Sequence, residues 1–352
     1  MPALKAIRRC FPNAYVAFLG NADSQGRHVT AREVVPPNGL IDEWILYPSA
    51  DSTFRFSDAV RLLKLLRRSR FDTLVYLAPR IRKSRAVSRD LLFFRFAGIR
   101  NVIGAQGFEP LSRAGSEARL PRIEHEADHL LRRLSLSGVS IPDPGKAQIE
   151  LALTEEEHRK ADAWLRENVP EFGATRLVGF GPGSKWPSKI WPEERFTEVG
   201  HRLIQQHAAY PIVFGGAEDW PLGERLIVAW GRGANAAGIL PVRQAAGALA
   251  HCLLYVGNDT GTMHLAAAMG TPCVAIMAAL DWPGHWNPYG TGHTVLRSSV
   301  PCEGCLLRVC ERQGMRCLKE ITVEQVLGAC NESLFRKCSD DEHYSSEREM
   351  KA

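Results

Sequence analysis

The stretch Tyr255–Ile276, "YVGNDTGTMHLAAAMGTPCVAI", carries the clearest information about the fold. An apolar run stops at a polar loop, a helix of small residues follows, and a second apolar run begins after Gly270. This order is typical of a βα unit in a parallel sheet, and ligands of such sheets bind beyond the carboxyl ends of the strands. The loop offers four residues suited to a ligand: Asp259, Thr260, Gly261 and His264.

The same alternation of apolar runs and amphipathic stretches recurs along the 352 residues, which predicts a doubly wound α/β protein. The predicted strands are 14–19, 74–77, 177–180, 212–214, 252–256 and 273–277. The predicted helices are 59–66, 192–206, 221–230, 242–251 and 263–269, with a further helix opened by a capping box at Thr154 and Glu157. A Pro- and Gly-rich connector at 138–145 marks the expected boundary between domains. We expect an N-terminal domain over 1–145, a C-terminal domain over 146–338 and a frayed or disordered polar tail over 339–352.

The basic residues are distributed unevenly. The formal net charge is +5, which is too small by itself to indicate nucleic-acid binding. Residues 61–100, however, hold twelve Lys and Arg against two acids, Asp72 and Asp90. Such a surface suits a phosphate-bearing partner or an anionic membrane, and an ordinary solvated surface explains it equally well.

The sequence shows neither a secretory signal nor a run of about 20 apolar residues, so we expect a cytoplasmic protein without a membrane-spanning helix. The nine cysteines are then expected as reduced thiols or metal ligands. The segment "CEGCLLRVCERQGMRC" brings together Cys302, Cys305, Cys310 and Cys317. Four thiols in a short loop suit a structural Zn²⁺ or iron ion, and a reduced loop without metal is the alternative.

Residues 181–196, "GPGSKWPSKIWPEERF", follow a predicted strand. Gly181 and Gly183 allow a close backbone approach to a ligand. Hydroxyl groups and positive charge come from Ser184, Lys185, Ser188 and Lys189. The order of residues is not that of a Walker A loop. We interpret the segment as a phosphate-binding loop, against the alternative of an ordinary Gly/Pro turn.

Residues 214–226, "FGGAEDWPLGERL", place Glu218 and Asp219 at the tip of a second loop. A carboxylate in this place can accept hydrogen bonds from the adjacent hydroxyls of a sugar. The alternative is that Asp219 caps the helix that begins near Pro221. The sequence favours neither interpretation.

In the opening stretch, the helix start near Thr262 provides free N–H groups for an anion, with Gly261 allowing a close approach. Because Asp259 is an acceptor, we expect it to fix the loop or to meet a ligand hydroxyl rather than a phosphate. The helix dipole disfavours protonation of His264, which we expect to be neutral. The alternative is a structural helix that binds no ligand.

These motifs resemble glycosyltransferase family nine, the lipopolysaccharide heptosyltransferases. The similarity lies in "NDTGTMHLAAAMGTPCVAI" and "PGSKWPSKIWPEERFTEVGHRL", and more weakly in "LKAIRRCFPNAYVAFLG", which looks like the first helix and second strand of the family. It extends to about Leu334. The resemblance implies a GT-B architecture of two Rossmann-like domains, with a nucleotide-sugar donor, typically ADP-heptose, in the C-terminal domain. It further implies a lipid-linked saccharide acceptor, such as the lipopolysaccharide core, in the N-terminal domain, with chemistry that is inverting and independent of metal.

The resemblance also assigns roles. Ser184 and Lys189 would meet the donor diphosphate, and Lys189 would neutralise the leaving group. Thr260 and Gly261 would contact the same diphosphate. The remaining implied donor-site residues are Asp259, His264 as a support of the loop, and Glu218 at the ribose with Asp219 as its rival. The basic region 61–100 would then face a phosphorylated glycolipid, with peripheral contact to the membrane.

The chain departs from the family at its start. The family pattern begins with a strand and a Gly-Asp loop whose Asp is the expected general base, and "MPALKAIRRCFP" has no counterpart of either. We therefore expect a sequence truncated at its beginning, and we assign no catalytic base. Two alternatives to a glycosyltransferase are a catalytically inactive relative that binds a nucleotide sugar, and a nucleotide-sugar epimerase.

Overall fold

A computed structural model describes residues 1–22, 29–48, 56–111, 119–143, 145–311 and 313–349. The chain divides into two compact units. The first comprises Met1–Ala114 and Glu124–Leu151, and the second comprises Gly115–Ile123 and Ala152–Ala352. Within the described ranges, no helix combines the length and the apolar composition needed to cross a bilayer.

The first unit alternates helices with short parallel strands. Its elements are α1 (Pro2–Cys10), β1 (Ala17–Ala22), α2 (Ala31–Val34), β2 (Glu43–Pro48), α3 (Phe56–Ser69), β3 (Thr73–Val75), α4 (Ser84–Phe96), β4 (Asn101–Ile103) and α5 (Glu126–Ser135). Among the described residues, β1 pairs with β2 alone and β3 pairs with β4 alone, so the strands form two small parallel sheets. The family's first strand, which has no counterpart at the start of this sequence, stays a matter of prediction.

The second unit is built on one parallel sheet. Its elements are α6 (Glu155–Asn168), β5 (Leu177–Gly181), α7 (Glu193–His207), β6 (Tyr210–Val213), α8 (Trp220–Trp230), β7 (Ala234–Asn235), α9 (Val242–Ala250), β8 (Leu254–Asn258), α10 (Gly261–Ala268), β9 (Cys273–Ile276), β10 (Thr294–Leu296), α11 (Arg316–Lys319) and α12 (Val323–Glu349). The strand order is β10-β9-β8-β5-β6-β7.

The core of the second unit lies on both faces of this sheet. Strands β5, β6, β8 and β9 are buried along their whole length, as their continuous apolar sequences predict. On one face, Trp191 and Phe196 pack with helix α7 against the sheet. On the other face, the small residues Ala266 and Ala267 of α10 let that helix approach closely, as expected from the sequence. The predicted α/β class is thereby confirmed.

Several predicted boundaries shift. Strand β1 begins at Ala17 rather than at Ala14, because the N–H of Val16 donates to the carboxylate of Asp42 instead of joining the ladder. The strand predicted at 252–256 runs from Leu254 to Asn258, which places an amide side chain at its end. The predicted capping box at the start of α6 is confirmed. The tail predicted as frayed continues helix α12 as far as Glu349, in a segment that contains neither Gly nor Pro.

A buried arginine joins the ends of β3 and β4 by hydrogen bonds. Arg133 of α5 is fully buried, and its guanidinium donates to the carbonyl oxygens of Tyr76 at 2.7 Å, Ala78 at 2.6 Å and Gly104 at 2.7 Å. These carbonyls follow directly after the two strands. The side chain therefore satisfies backbone acceptors where the short ladder stops.

We expect Arg133→Met to lower the free energy of unfolding by about 3 kcal/mol or more, because three buried carbonyls lose their donor. The neighbouring Arg132→Met is the matched control. Arg132 is partly exposed and pairs with Glu124, so its loss should cost below about 1 kcal/mol. Urea unfolding of both variants measures the difference. Equal losses would contradict the fastening role of Arg133.

Candidate functional site

The three loops singled out in the sequence lie at one edge of the second sheet. They follow β5, β6 and β8, which are adjacent in the order β8-β5-β6, and parallel strands bring their carboxyl ends to the same edge. The predicted donor-site residues all lie on loops or a helix start at this edge: Ser184, Lys189, Glu218, Asp259, Thr260, Gly261 and His264. Ion-pair contacts join Lys189, Asp259 and His264 directly. Their binding roles stay predictions.

The buried amide of Asn258 joins the loop after β5 to the end of β8. Its Nδ2 donates to the carbonyl of Pro182 at 2.7 Å, and its Oδ1 accepts from the N–H of Trp191 at 3.1 Å. The side chain is fully buried. Asn258 has no predicted role, although an amide side chain between an apolar strand and a ligand loop is a signal for one.

Lys189 and Asp259 form the central ion pair of the site. The Nζ of Lys189 donates to Oδ2 of Asp259 at 2.6 Å, and the side chains are 19% and 6% exposed. The ammonium also lies 5.7 Å from the ring centre of Trp186. Asp259 was expected to fix the loop, and the contact that does so is with this lysine. A positive charge is therefore held in one place at the sheet edge.

The position of Lys189 is set by the preceding residue. Residues Pro187–Lys189 form a 3₁₀ turn, in which Ser188 is buried. The N–H of Ser188 donates to the carbonyl of Arg308 at 3.2 Å, and its hydroxyl donates to that of Leu307 at 2.7 Å. This hydroxyl is predicted from the sequence as one of the ligand donors. Instead, the hydroxyl bonds the turn to the cysteine-rich loop. This loop lies more than 100 residues further along the sequence, so no local pattern predicts the contact.

The start of α10 is open to a ligand. Thr260 is the N-cap, and its side chain does not cap the helix but lies 3.0 Å from the hydroxyl of Thr262. That hydroxyl in turn lies 2.7 Å from the phenol oxygen of Tyr255. A β-carbon built at Gly261 would meet no atom within 4 Å. The first N–H groups of the helix therefore border open space, as an anion site requires.

Contacts within the protein explain why the two positions after β5, Gly181 and Gly183, are glycines. A β-carbon at Gly181 would lie 1.7 Å from the phenol oxygen of Tyr255, and one at Gly183 would lie 2.0 Å from Oδ1 of Asp219. The prediction that these glycines serve a close approach to a ligand is therefore not needed to explain them. Gly181 makes room for Tyr255 of strand β8, and Gly183 makes room for Asp219 of the loop after β6.

Glu218 and Asp219 differ in what they face. The Asp219 carboxylate accepts from the N–H of Gly216 at 2.9 Å, which caps the 3₁₀ turn Ala217–Asp219. It makes no capping hydrogen bond to α8, so the interpretation that Asp219 caps the helix near Pro221 is wrong. Burial raises the pKa of Asp219 above its ordinary value. Glu218 is 50% exposed and lies 3.7 Å from the ammonium of Lys185. Of the two, Glu218 presents its carboxylate outward.

His264 borders the ion pair. Its Nε2 lies 4.0 Å from Oδ1 of Asp259, and its ring centre lies 6.4 Å from that of Trp286. Burial lowers the pKa of His264, the Asp259 carboxylate opposes that shift, and the Lys189 ammonium adds to it. A lowered pKa favours the neutral imidazole ring that the sequence predicts for His264.

The four clustered cysteines surround one small cavity. The cavity measures about 20 Å³. It is lined by Cys302, Cys305, Cys310 and Cys317 together with Ser188 and Met315. In the described part of the chain, however, no three Cys, His, Asp or Glu side chains converge as ligands of a metal ion. All four are thiols that form no disulfide within the described residues, and burial raises the pKa of Cys317. The structural zinc or iron ion suggested by the sequence therefore stays a prediction.

Gly181 and Gly261 form a matched pair for substitution. We expect Gly181→Ala to destabilise the protein by about 1–3 kcal/mol, because Tyr255 must move away from the added methyl group. Gly261→Ala should leave the melting temperature unchanged and should weaken the binding of a diphosphate ligand. Thermal unfolding with and without ADP separates the two effects. A destabilised Gly261→Ala variant would argue against an open helix start.

The pKa of His264 predicts a pH dependence of stability. Since the native pKa lies below the ordinary value of 6.5, the unfolded chain binds more protons in the window just below pH 6.5. The contribution of the neutral ring is present above that window and is lost as the pH falls through it. We expect His264→Gln to flatten this part of the stability profile, measured by melting temperatures between about pH 5 and 7.5. Parallel profiles for the two proteins would refute the assignment.

Comparisons with known proteins match the geometry. Residues 60–316 fit the sequence profile of glycosyltransferase family 9 (heptosyltransferase). Over 177 residues the chain is 32% identical to lipooligosaccharide heptosyltransferase 2 of Haemophilus influenzae, an alignment that covers 47% of this chain and 49% of that relative. The chain spans about half the length of this curated relative.

Two solved structures share the fold. The glycosyl transferase family 9 protein of Veillonella parvula superimposes with a TM-score of 0.71 at 22% identity, covering 95% of this chain and 92% of that one. The ADP-heptose lipopolysaccharide heptosyltransferase II of E. coli gives a TM-score of 0.61 at 20% identity, covering 96% and 94%. The GT-B class predicted from the sequence is confirmed by this likeness. The match over residues 60–316 establishes that the chain belongs to glycosyltransferase family 9.

Proposed function

We propose that this protein is a glycosyltransferase of lipopolysaccharide core synthesis that transfers heptose from ADP-heptose to a lipid-linked saccharide. The observation that carries the proposal is the Lys189–Asp259 pair beside the open start of α10. Both features lie within the segment that matches the family. The names of the relative from Haemophilus influenzae and of the E. coli structure support the sugar and the donor.

In this proposal the donor diphosphate lies between the two loops. Lys189 supplies a positive charge, and the first N–H groups of α10 supply donors at Thr260 and Gly261. Ser184 provides a hydroxyl from the opposite loop, where it accepts from the N–H of Trp186 at 3.1 Å. Glu218 is the acceptor for the hydroxyls of the ribose, since its carboxylate is exposed, whereas that of Asp219 is partly buried and accepts from the N–H of Gly216.

The proposed transfer is a single displacement with inversion. An acceptor hydroxyl attacks the anomeric carbon, the bond to the diphosphate breaks, and ADP leaves with the electron pair. Lys189 and the amides of α10 stabilise the charge that develops on the leaving phosphate, which is the part that a divalent cation plays in other enzymes. The acceptor hydroxyl must also lose its proton to a general base, and we assign none.

The first test is donor binding. We expect ADP to bind the intact protein in calorimetry, and we expect Lys189→Met to weaken that binding about 10- to 100-fold, because a charged hydrogen bond is lost. Lys160→Met on α6 is the control, since this lysine pairs with Glu156 on the surface. The double variant Lys189→Met/Asp259→Asn removes the buried carboxylate charge and shows whether folding, rather than charge, explains the loss.

The second test is transfer. Incubation with ADP-heptose and a heptose-free lipopolysaccharide core should release ADP and increase the mass of the acceptor by one heptose. Binding of ADP without transfer would support an inactive relative instead. Conversion of the nucleotide sugar without an acceptor would support an epimerase. Failure to bind ADP in a folded protein would overturn the donor site itself.

A further inference from the structure

We propose that Trp286 forms the surface against which the sugar of the nucleotide-sugar donor lies. This residue belongs to the β9 loop, residues 277–293, which joins β9 to β10. Its role is to distinguish a nucleoside diphosphate sugar from the free nucleoside diphosphate. The inference rests on the proposed function and deepens it, because it names the residue that recognises the sugar part of the donor.

The order of the strands indicates where the sugar lies. Along the edge of the second sheet the strands follow in the order β9, β8, β5 and β6, and each is parallel to its neighbour. In the proposed function, the ribose lies at Glu218 after β6 and the diphosphate lies between the loops after β5 and β8. A sugar on the far phosphate then extends toward the β9 loop, since neighbouring strands are only about 4.8 Å apart.

Trp286 reaches the candidate site through His264. The ring centres of the two residues lie 6.4 Å apart in an edge-to-face arrangement. His264 is in the first turn of α10, and its Nε2 lies 4.0 Å from Oδ1 of Asp259, the partner of Lys189. A single side chain therefore separates Trp286 from the ion pair that is proposed to meet the diphosphate.

The indole of Trp286 is packed by the protein but is not fully covered. It packs against the apolar cluster that contains Met263 of α10 and Met277 at the start of the β9 loop. The fully buried ring of His285 lies against it, with the ring centres 4.6 Å apart. Trp286 nevertheless stays partly exposed. Ligand pockets combine aromatic surfaces of this kind with a few polar groups, and the C–H groups of a sugar ring can cover the exposed part of the indole.

A chain of polar contacts holds the ring behind Trp286. A carboxylate can only accept, so Nδ1 of His285 is the donor to Oδ1 of Asp281 at 2.9 Å. The carbonyl of Asp281 accepts from Arg297 at 3.1 Å, and Arg297 also pairs with the buried Glu303 at 3.2 Å. The indole is thus supported before a ligand binds, which lowers the entropy cost of binding.

A second contact fixes the turn before Trp286. The N–H of Ile123 donates to the carbonyl of Pro283 at 2.9 Å. Gly284 has a φ of +93°, and a β-carbon at this position would lie 2.2 Å from the carbonyl oxygen of Ile123. Only glycine suits this close approach. Both anchors of the β9 loop belong to the second unit, as the candidate site does.

Calorimetry with ADP and with ADP-heptose tests the inference. We expect Trp286→Leu to weaken the binding of ADP-heptose about 5- to 30-fold, because the sugar loses its aromatic surface, and to keep the affinity for ADP within about twofold. Trp286→Phe keeps an aromatic ring and should retain most of the affinity for ADP-heptose. Trp164→Leu on α6 is the matched control, since Trp164 is partly buried against the same apolar cluster. Both affinities should be unchanged in this control.

Fluorine NMR tests the contact in the protein without a substitution at the site. The chain has eight tryptophans, and labelling with 5-fluorotryptophan gives each a resonance. The resonance that is missing in Trp286→Phe identifies Trp286. We expect this resonance to shift more when ADP-heptose is added than when ADP is added, because only the first ligand carries the sugar.

The outcomes separate this inference from the proposed function. Equal weakening of ADP and ADP-heptose by Trp286→Leu, in a variant with unchanged circular dichroism, would mean that the indole contacts the nucleotide or supports the diphosphate site, and would overturn the inference. Unchanged binding of both ligands, or a Trp286 resonance that responds equally to both, would overturn it as well. In these cases ADP still binds the unmodified protein, so the donor site stands. Failure of the unmodified protein to bind ADP would instead overturn the donor site, and the inference with it.

Discussion

The site at the edge of the second sheet depends on one buried amide. Asn258 ends β8 and bonds the backbone on both sides of the loop after β5, at Pro182 and at Trp191. An amide can do this because it carries both a donor and an acceptor, whereas an aspartate would leave the Pro182 carbonyl without its donor. Asp259, the next residue, thereby comes within 2.6 Å of Lys189. Two segments about 70 residues apart become one rigid structure.

These hydrogen bonds explain how the ammonium group of Lys189 is held in one position. A lysine on the surface has a mobile ammonium group and contributes a diffuse charge. Lys189 is restrained from three directions, by the Asp259 carboxylate, by the ring of Trp186 and by the brace at Ser188. The Asp259 carboxylate cancels the net charge of the ion pair. It also holds the Lys189 ammonium in position before a ligand binds. Preorganisation of this kind favours a ligand whose charge fits one geometry.

The sequence predicted the second unit well because its signals are local. Continuous apolar strands, small residues in α10 and polar residues at strand ends each follow from a few neighbouring positions. The roles of Ser188, Gly181 and Asp219 were not predictable in this way. Ser188 and Gly181 are decided by contacts with distant residues, Leu307 and Tyr255, whereas the Asp219 carboxylate bonds the nearby N–H of Gly216. In the first unit, Arg133 satisfies backbone groups that no pattern of strands would assign to a helix.

The two units use positive charge in opposite ways. In the second unit, a single ammonium is held by a buried carboxylate, so its attraction is short in range and strict in direction. In the first unit, arginines lie on the exposed sides of α3 and α4, where Asp58 and Asp90 pair with Arg61 and Arg89. Long flexible side chains attract an extended anionic surface without fixing its orientation. A single anionic group in one orientation therefore suits the restrained lysine, whereas the exposed arginines attract anions without a fixed geometry.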